Sequence, residues 1–261
     1  MSLRRVNEVS HRLSLRPPQR ASVEILDRIF EAVPLDKQTD PSAALAAIHA
    51  EYPGVTDFER EFPSLCFALA TGVGKTRLMG AFVAYLHLAR GLNDFFVLAP
   101  NLTIYEKLKA DFTPGNPKYV FTGMGELLAR GVEVITGDNY ASGRGVRVEK
   151  RQARHDFGTG DVRRADFQRP FEFDRAAIHI NIFNISKING EVRGGKSTKM
   201  KRLHEYIGQS YFDYLAGLDD LVLIMDESHR YRGSAGVKVL NELRPIVGLE
   251  LTATPQTESG T

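Results

Sequence analysis

The stretch LCFALATGVGKTRLM, residues 65–79, passes from an apolar run into glycines, then into Gly-Lys-Thr, and then into residues that favour a helix. Such a run is typical of a buried strand, and RLMGAFVAYLHLAR after it is typical of an amphipathic helix. Glycines at this junction let backbone N–H groups and the helix N-terminus approach a polyphosphate closely. We therefore predict a phosphate-binding loop, in which Lys75 neutralises the β and γ oxygens and Thr76 offers a hydroxyl to Mg²⁺.

This loop departs from the common pattern G-x-x-x-x-G-K-[ST] at one position, because Leu69 stands where the first glycine would be. It is therefore a variant loop, and a glycine-rich turn that binds nothing remains the alternative. The residues that would bind the nucleotide are Thr71, Gly72, Val73, Gly74, Lys75, Thr76 and Arg77.

Six short, nearly continuous apolar runs indicate strands buried on both faces: SLCFALA, FFVLAP, VEVITG, AIHINIFNI, LVLIMDE and IVGLELTAT. Helical patterns separate most of them, and PPQRASVEILDRIFEAV and PSAALAAIHAEYPG predict two helices before the first run. This alternation predicts an α/β fold with a mainly parallel sheet and helices on both faces. Ligands of such sheets bind at the carboxyl ends of the strands, so the residues after each run are the candidates.

The composition is that of an ordinary globular protein, with 261 residues, 43% of them apolar and 25% charged. The formal net charge of +2 says nothing about a nucleic-acid partner. No apolar run reaches the roughly 18 to 20 residues that cross a bilayer, and MSLRR lacks the apolar stretch of a signal peptide. We expect no membrane partner and a cytoplasmic location. The single cysteine, Cys66, is expected to be a small buried hydrophobe.

The strand-like run LVLIMDE ends in Asp226 and Glu227. An aspartate at the end of an apolar strand is costly unless it holds something positive, and the Mg²⁺ of a bound nucleotide is a natural partner. Glu227 would orient and deprotonate an attacking water. A capped turn with no catalytic role is the alternative.

Hydroxyls flank a small residue after the last apolar run, at Thr252 and Thr254. They would hydrogen-bond the carboxylates of the neighbouring strand end and move with them. A structural pair of hydroxyls in a turn would look the same.

The segments ATGVGKT, DESH and TATP, in this order, resemble motifs I, II and III of superfamily-two helicases, whose motor is a pair of RecA-like lobes. LRPPQ resembles their glutamine motif, which implies that Gln19 reads the adenine edge, and LAPNLTI resembles motif Ia, a nucleic-acid contact. LRPPQ, NIFNISKIN, SYFDYLAGLDDLVLIMDESHRYR and GLELTATP are most similar to the Res subunits of type III restriction-modification enzymes. In that family, His229 would link the nucleotide site to motif III.

The resemblance implies a RecA-like P-loop lobe that uses ATP and Mg²⁺ and moves along double-stranded DNA. It places a glutamine-motif helical segment in residues 1–60 and the ATP-binding lobe in residues 61–261. Within the lobe, residues at about 139–175 are rich in arginine and glycine and poor in apolar residues, which predicts a charged loop or insertion. The chain ends just after motif III, so we expect the second lobe and the nuclease domain to lie outside it, and ATP turnover by the chain alone to be poor. A DNA methyltransferase subunit is an implied partner.

Polar residues after three predicted strands are candidate nucleic-acid contacts. Asn101 and Thr103 come first, and the weaker candidates are Thr136, Asn184, Ser186 and Lys187. Simple helix capping is the alternative for Asn101. Arginines of the charged segment would add phosphate contacts, although such runs are more often solvated surface.

Two other functions remain open. The chain would also suit a different superfamily-two motor, such as a type I restriction motor or a repair helicase. The variant loop at Leu69 would suit a nucleotide-gated DNA-binding module that does not hydrolyse ATP.

Overall fold

The computed structural model describes residues 2–125, 127, 131–142, 145–146, 178–185, 199–204, 209–231 and 233–253. Ser186, Lys187, Thr254 and most of the charged segment predicted at about 139–175 lie outside the described residues.

The centre of the fold is a six-stranded sheet in which all neighbouring strands run parallel. Its order is β1-β8-β7-β2-β4-β3. Its strands are β1 Ser64–Ala68, β2 Asp94–Ala99, β3 Val132–Thr136, β4 Ile178–Asn184, β7 Leu221–Asp226 and β8 Val247–Thr252. All six predicted strands are therefore confirmed. A separate antiparallel pair joins β5, Leu203–His204, to β6, Gln209–Ser210.

Helices cover both faces of the sheet. They are α1 Ser2–Arg12, α2 Pro17–Ala32, α3 Pro41–Glu51, α4 Lys75–Arg90, α5 Leu102–Phe112, α6 Tyr211–Ala216 and α7 Ser234–Leu243. One apolar cluster packs α1 to α5 against one face, and a second packs α6 and α7 against the other. The predicted α/β architecture is confirmed.

The first three helices share a core with the sheet. Val6 and Val9 of α1 and Val23 and Leu26 of α2 are fully buried in the cluster that also contains α4. Helix α1 is not among the predicted elements, although Leu3, Val6 and Val9 of SLRRVNEVSHR recur at helical spacing. The division into a helical segment, residues 1–60, and an ATP-binding lobe, residues 61–261, stays a prediction.

The prediction that Cys66 is buried is wrong. Cys66 is exposed, because β1 is the edge strand of the sheet and the residue faces the side that Phe67 and Leu65 do not. A strand side chain on the opposite face from the core meets solvent unless a helix covers it.

Among the described residues, no helix is both long and apolar enough to cross a membrane.

The register brings the carboxyl ends of the strands to one edge of the sheet. Ala68 of β1 pairs with Thr252 of β8, and Asp226 of β7 pairs with Leu251. On the other side of β7, Ala99 of β2 pairs with Asn184 of β4. The candidate residues after the strands are therefore neighbours in space, as the parallel sheet requires.

Candidate nucleotide site

The phosphate loop joins β1 to α4, which begins at Lys75. Gly74, the N-cap of this helix, has φ 96° and Gly72 has φ 81°, both in the left-handed region that favours glycine. A Cβ at Gly74 would lie 2.8 Å from the Nε2 atom of Gln19. The loop conformation and its close packing therefore require glycine at position 74.

Leu69 explains why the loop lacks the first glycine of the common pattern. Its N–H donates to the carbonyl of Thr252 at 2.9 Å, and its side chain is only 6% exposed. The residue thus continues the pairing of β1 with β8 and packs in the core. An extended, buried position needs no glycine, so the substitution leaves the loop from Ala70 onward intact.

Gln19 joins the N-terminal helices to the phosphate loop. Its Nε2 donates to the carbonyls of Val73 and Gly74 at 3.0 and 2.9 Å. Its Oε1 accepts from the N–H of Arg16 at 2.8 Å, which caps α2. Arg16 also donates to the carbonyl of Gly72 at 3.1 Å. Gln19 is 3% exposed, and both hydrogens of its side-chain amide are donated to loop carbonyls. A residue of α2, which is not part of the sheet, therefore holds the phosphate loop in place.

A cleft of about 620 Å³ lies beside Gln19 and Gly74, a volume within the usual range for small-molecule sites. Arg77 lines it and donates to the carbonyl of Leu13 at 3.3 Å. Tyr119 also lines it, and within the described residues the Tyr119 hydroxyl has no hydrogen-bond partner. Burial raises the pKa of Tyr119 to about 12, so the hydroxyl remains a donor at neutral pH. No local sequence signal indicates Tyr119, because its loop meets α1 only in the folded chain.

Asp226 ends β7 and is 7% exposed. Its Oδ1 atom is buried without a hydrogen-bond partner in the part of the chain that the structure describes. Burial raises the pKa of this carboxyl, and the charge of Glu227 raises it further, whereas Lys75 and Lys107 lower it. A buried carboxylate oxygen with no donor fits a divalent cation, because Mg²⁺ is commonly held by one or two carboxylates together with substrate phosphates.

Glu227 lies at the turn after β7 with φ 52°, a left-handed conformation that a non-glycine residue rarely adopts. Its carboxylate accepts a hydrogen bond from the ammonium of Lys75. Both side chains are partly buried, at 26% and 14% exposed. The predicted catalytic carboxylate thus holds the lysine of the phosphate loop.

Thr76 follows Lys75 in the first turn of α4, and its Oγ1 accepts a hydrogen bond from the Nζ of Lys107 at 3.2 Å. Lys107 belongs to α5 and is not among the predicted site residues. Nothing in the local sequence indicates this contact, because it joins residues 31 positions apart.

His229 lies between the two carboxyl-end motifs. Its Nδ1 is 3.4 Å from the Oγ1 of Thr252 and 3.6 Å from the Oε2 of Glu227. Thr252 is 2% exposed, and Thr254 lies outside the described residues. The structure therefore brings together His229, Glu227 and Thr252, three of the predicted hydrolytic and coupling residues.

The candidate nucleic-acid contacts divide by exposure. Asn101 caps α5, since its Oδ1 accepts from the N–H of Ile104 at 2.9 Å, so the capping alternative is observed. Thr103 is exposed in the first turn of α5, whereas Thr136 and Asn184 are only 5% and 7% exposed. The exposed start of α5 is therefore more accessible to a nucleic acid than the buried Thr136 and Asn184.

Residues 12–257 match the family described as type III restriction enzyme, res subunit. The chain belongs to this Res subunit family. A search of curated proteins found no match. Membership confirms the resemblance to a superfamily-two helicase-like motor lobe and the RecA-like P-loop fold. A Res-family motor is a helicase-like ATPase, and its fold implies use of nucleotide and Mg²⁺ and interaction with DNA.

The buried charge of Asp226 leads to a stability prediction. The pKa of Asp226 is higher in the folded protein than in the unfolded chain. Its contribution to the stability of the fold is therefore fully present below the unfolded pKa and is lost as pH rises through the folded pKa. At pH 7.5, without Mg²⁺ and nucleotide, Asp226→Asn is expected to stabilise the fold by about 1 kcal/mol. The gain should shrink as pH falls toward the acid range.

Differential scanning calorimetry in a chelator measures this effect across pH. Asp219→Asn, the same change at an exposed carboxylate, is the matched control and should shift stability by less than about 0.5 kcal/mol. A loss of stability in Asp226→Asn at pH 7.5 would show that the ionised carboxylate has a stabilising partner and that the cation assignment is wrong.

Proposed function

We propose that this Res-family chain hydrolyses ATP as the first motor lobe of a translocase on double-stranded DNA. The observation that carries the proposal is the buried, unpartnered Oδ1 of Asp226 beside the Lys75–Glu227 pair, among the described residues at the strand ends. A glycine loop at a helix N-terminus adjoins these charges. Together they support a site for a polyphosphate and a cation.

The loop and the first turn of α4 would bind the phosphates. The backbone around Gly72 and Gly74 and the ammonium of Lys75 would bind the β and γ oxygens. When bound, Mg²⁺ held by Thr76 and Asp226 would neutralise charge on those oxygens and orient them. Because Lys75 is paired with Glu227, a bound polyphosphate would compete for the lysine and release the carboxylate.

Hydrolysis then requires a positioned base. The released Glu227 would accept the proton of a water as its oxygen attacks the γ-phosphorus. The bond from the γ-phosphorus to the β,γ-bridging oxygen breaks, and its electron pair stays on ADP. His229, within reach of both Glu227 and Thr252, would carry the change in Glu227 to the end of β8.

The cleft beside Gln19 supports the assignment of the nucleotide base as adenine. Both amide hydrogens of Gln19 are committed to the loop carbonyls, so its remaining capacity is as an acceptor at Oε1. An acceptor there would take a hydrogen bond from the exocyclic amino group of adenine. Tyr119 also lines this cleft, with its hydroxyl oxygen buried.

The exposed start of α5 supports a DNA backbone contact. Leu102 is 64% exposed, the adjacent Thr103 is exposed, and the positive end of the helix dipole lies there. Hydroxyl groups and helix N-termini commonly bind DNA phosphates without reading sequence. We assign this surface to the DNA backbone.

Family membership also supports partners for the motor, which we propose here. They are a second RecA-like lobe and a nuclease domain of the same full-length protein, and a DNA methyltransferase subunit. The division of the chain at residue 60, with Gln19 in the first segment, is a proposal of the same kind.

A charge at the start of α5 tests the DNA assignment. Thr103→Glu is expected to weaken binding of a fluorescent DNA duplex about tenfold at low salt, because the carboxylate repels the phosphates. Fluorescence anisotropy with Mg²⁺ and a non-hydrolysable ATP analogue measures the dissociation constant. Thr113→Glu places the same charge at the exposed other end of α5 and should leave it unchanged. Equal loss in both variants, or in neither, would contradict the assignment.

A further inference from the structure

Lys107 of α5 contacts the first turn of α4 at the proposed metal site. Its Nζ donates to the Oγ1 of Thr76 at 3.2 Å, although the two residues lie on different helices, α5 and α4. The hydroxyl it contacts is the one that would bind Mg²⁺. Lys107 is also among the cations whose charge favours the ionised form of Asp226, the other residue that would hold the metal. One ammonium therefore acts on both groups.

Other charged side chains lie near these groups: Asp111, four residues along α5, is close enough for the charge of Lys107 to lower its pKa, and His229 lies 3.6 Å from Glu227. Lys75 is paired with Glu227, and the carboxylate of Glu227 adds negative charge beside Asp226. Among the described residues, Lys107 is the cation that hydrogen-bonds the hydroxyl proposed to bind the metal. A lysine ammonium and Mg²⁺ at one hydroxyl repel each other, so both do not stay there together.

We propose that Lys107 is a positioning residue that holds Thr76 until Mg²⁺ binds and competes with Mg²⁺ for the metal site. The inference rests on the proposed function, since it takes Thr76 and Asp226 as the residues that hold the metal. Removal of the ammonium removes a competing charge, so the site fills at a lower Mg²⁺ concentration.

The position of Lys107 on α5 connects this competition to DNA. Thr103 and Lys107 are four residues apart on one helix, so their side chains lie on the same face, about 5 to 6 Å apart at Cβ. A DNA phosphate at Thr103 is an anion within reach of the flexible lysine side chain. DNA bound there draws Lys107 from Thr76 and lowers the Mg²⁺ requirement.

The Mg²⁺ concentration that gives half of the thermal stabilisation by ADP measures the competition without any turnover. Thermal unfolding of the full chain at saturating ADP is followed over a Mg²⁺ series. Lys107→Met is expected to lower this midpoint about two- to fivefold, which lies within the range for an exposed charge interaction. Lys107→Arg keeps the charge and should retain the wild-type midpoint. Duplex DNA should lower the midpoint of the wild type and leave that of Lys107→Met unchanged.

Lys109→Met is the matched control. It removes the same charge from the same helix, but Lys109 pairs with Glu106 at 2.8 Å. Its midpoint should equal that of the wild type. An unchanged or raised midpoint in Lys107→Met, with Mg²⁺-dependent stabilisation of the wild type by ADP, would overturn the role of Lys107 alone. Absence of that stabilisation in the wild type would overturn the proposed nucleotide site, and this inference with it.

Discussion

Replacement of Glu227 by glutamine, in the full-length protein that also carries the second RecA-like lobe, is expected to reduce DNA-stimulated ATP hydrolysis by about 10³-fold. Glutamine fills the same space but accepts no proton from the attacking water. Binding of Mg-ATP should be kept or should tighten, because Lys75 loses the carboxylate that competes with the phosphates for it. A variant that binds and does not hydrolyse separates the role of Glu227 from that of the phosphate loop.

Phosphate release measures turnover, and a fluorescent nucleotide measures binding in the same samples. Glu59→Gln is the matched control, since Glu59 is exposed and has the same φ of 52° as Glu227. It should hydrolyse ATP at the wild-type rate. Retention of more than about a tenth of the wild-type rate by Glu227→Gln would show that another group activates the water.

Replacement of Lys75 by methionine is expected to weaken Mg-ATP binding by at least about 100-fold. The lysine contributes a charge-assisted contact to the phosphates that is worth about 2 to 3 kcal/mol, and the uncharged side chain also leaves Glu227 without its partner. The free carboxylate then repels the polyphosphate. Both effects act in the same direction.

Lys201→Met provides the control for this change. Lys201 also forms an ion pair with a glutamate, Glu242, and both of these side chains are partly exposed. Loss of that pair should leave nucleotide affinity unchanged. If Lys201→Met weakened Mg-ATP binding as much as Lys75→Met, the effect would come from a general loss of charge or fold and not from the phosphate loop.

The strands and the location of the site can be predicted from the amino-acid sequence for one physical reason. Strands buried on both faces of a parallel sheet read as nearly continuous apolar runs, and their carboxyl ends meet at one edge. Lys75, Asp226 and Thr252 can therefore be assigned to that edge from the sequence alone. From the sequence alone, Leu69 leaves open whether the loop binds phosphate or is a turn that binds nothing. In the structure Leu69 pairs through its backbone with Thr252, a position that does not require glycine.

Other features depend on packing between segments that are distant in the chain. Lys107 reaches Thr76 across two helices, and Tyr119 enters the cleft from a loop, so neither has a local signal. The glutamine motif predicts that Gln19 reads adenine, but its bonds to the loop carbonyls depend on how α2 docks. The prediction for Cys66 is wrong because an edge strand and a central strand have similar local sequences.

Calorimetric titration of the wild-type chain with ATP in the presence of Mg²⁺ tests the central claim most directly. We predict saturable binding of one ATP per chain, with a dissociation constant on the order of 1–100 μM, within the usual range of enzyme–substrate affinities. Binding should weaken when Mg²⁺ is chelated and should be lost from the titration in Lys75→Met. No saturable heat for the wild type, or equal binding by the wild type and Lys75→Met, would contradict the assignment of an ATP site to this loop.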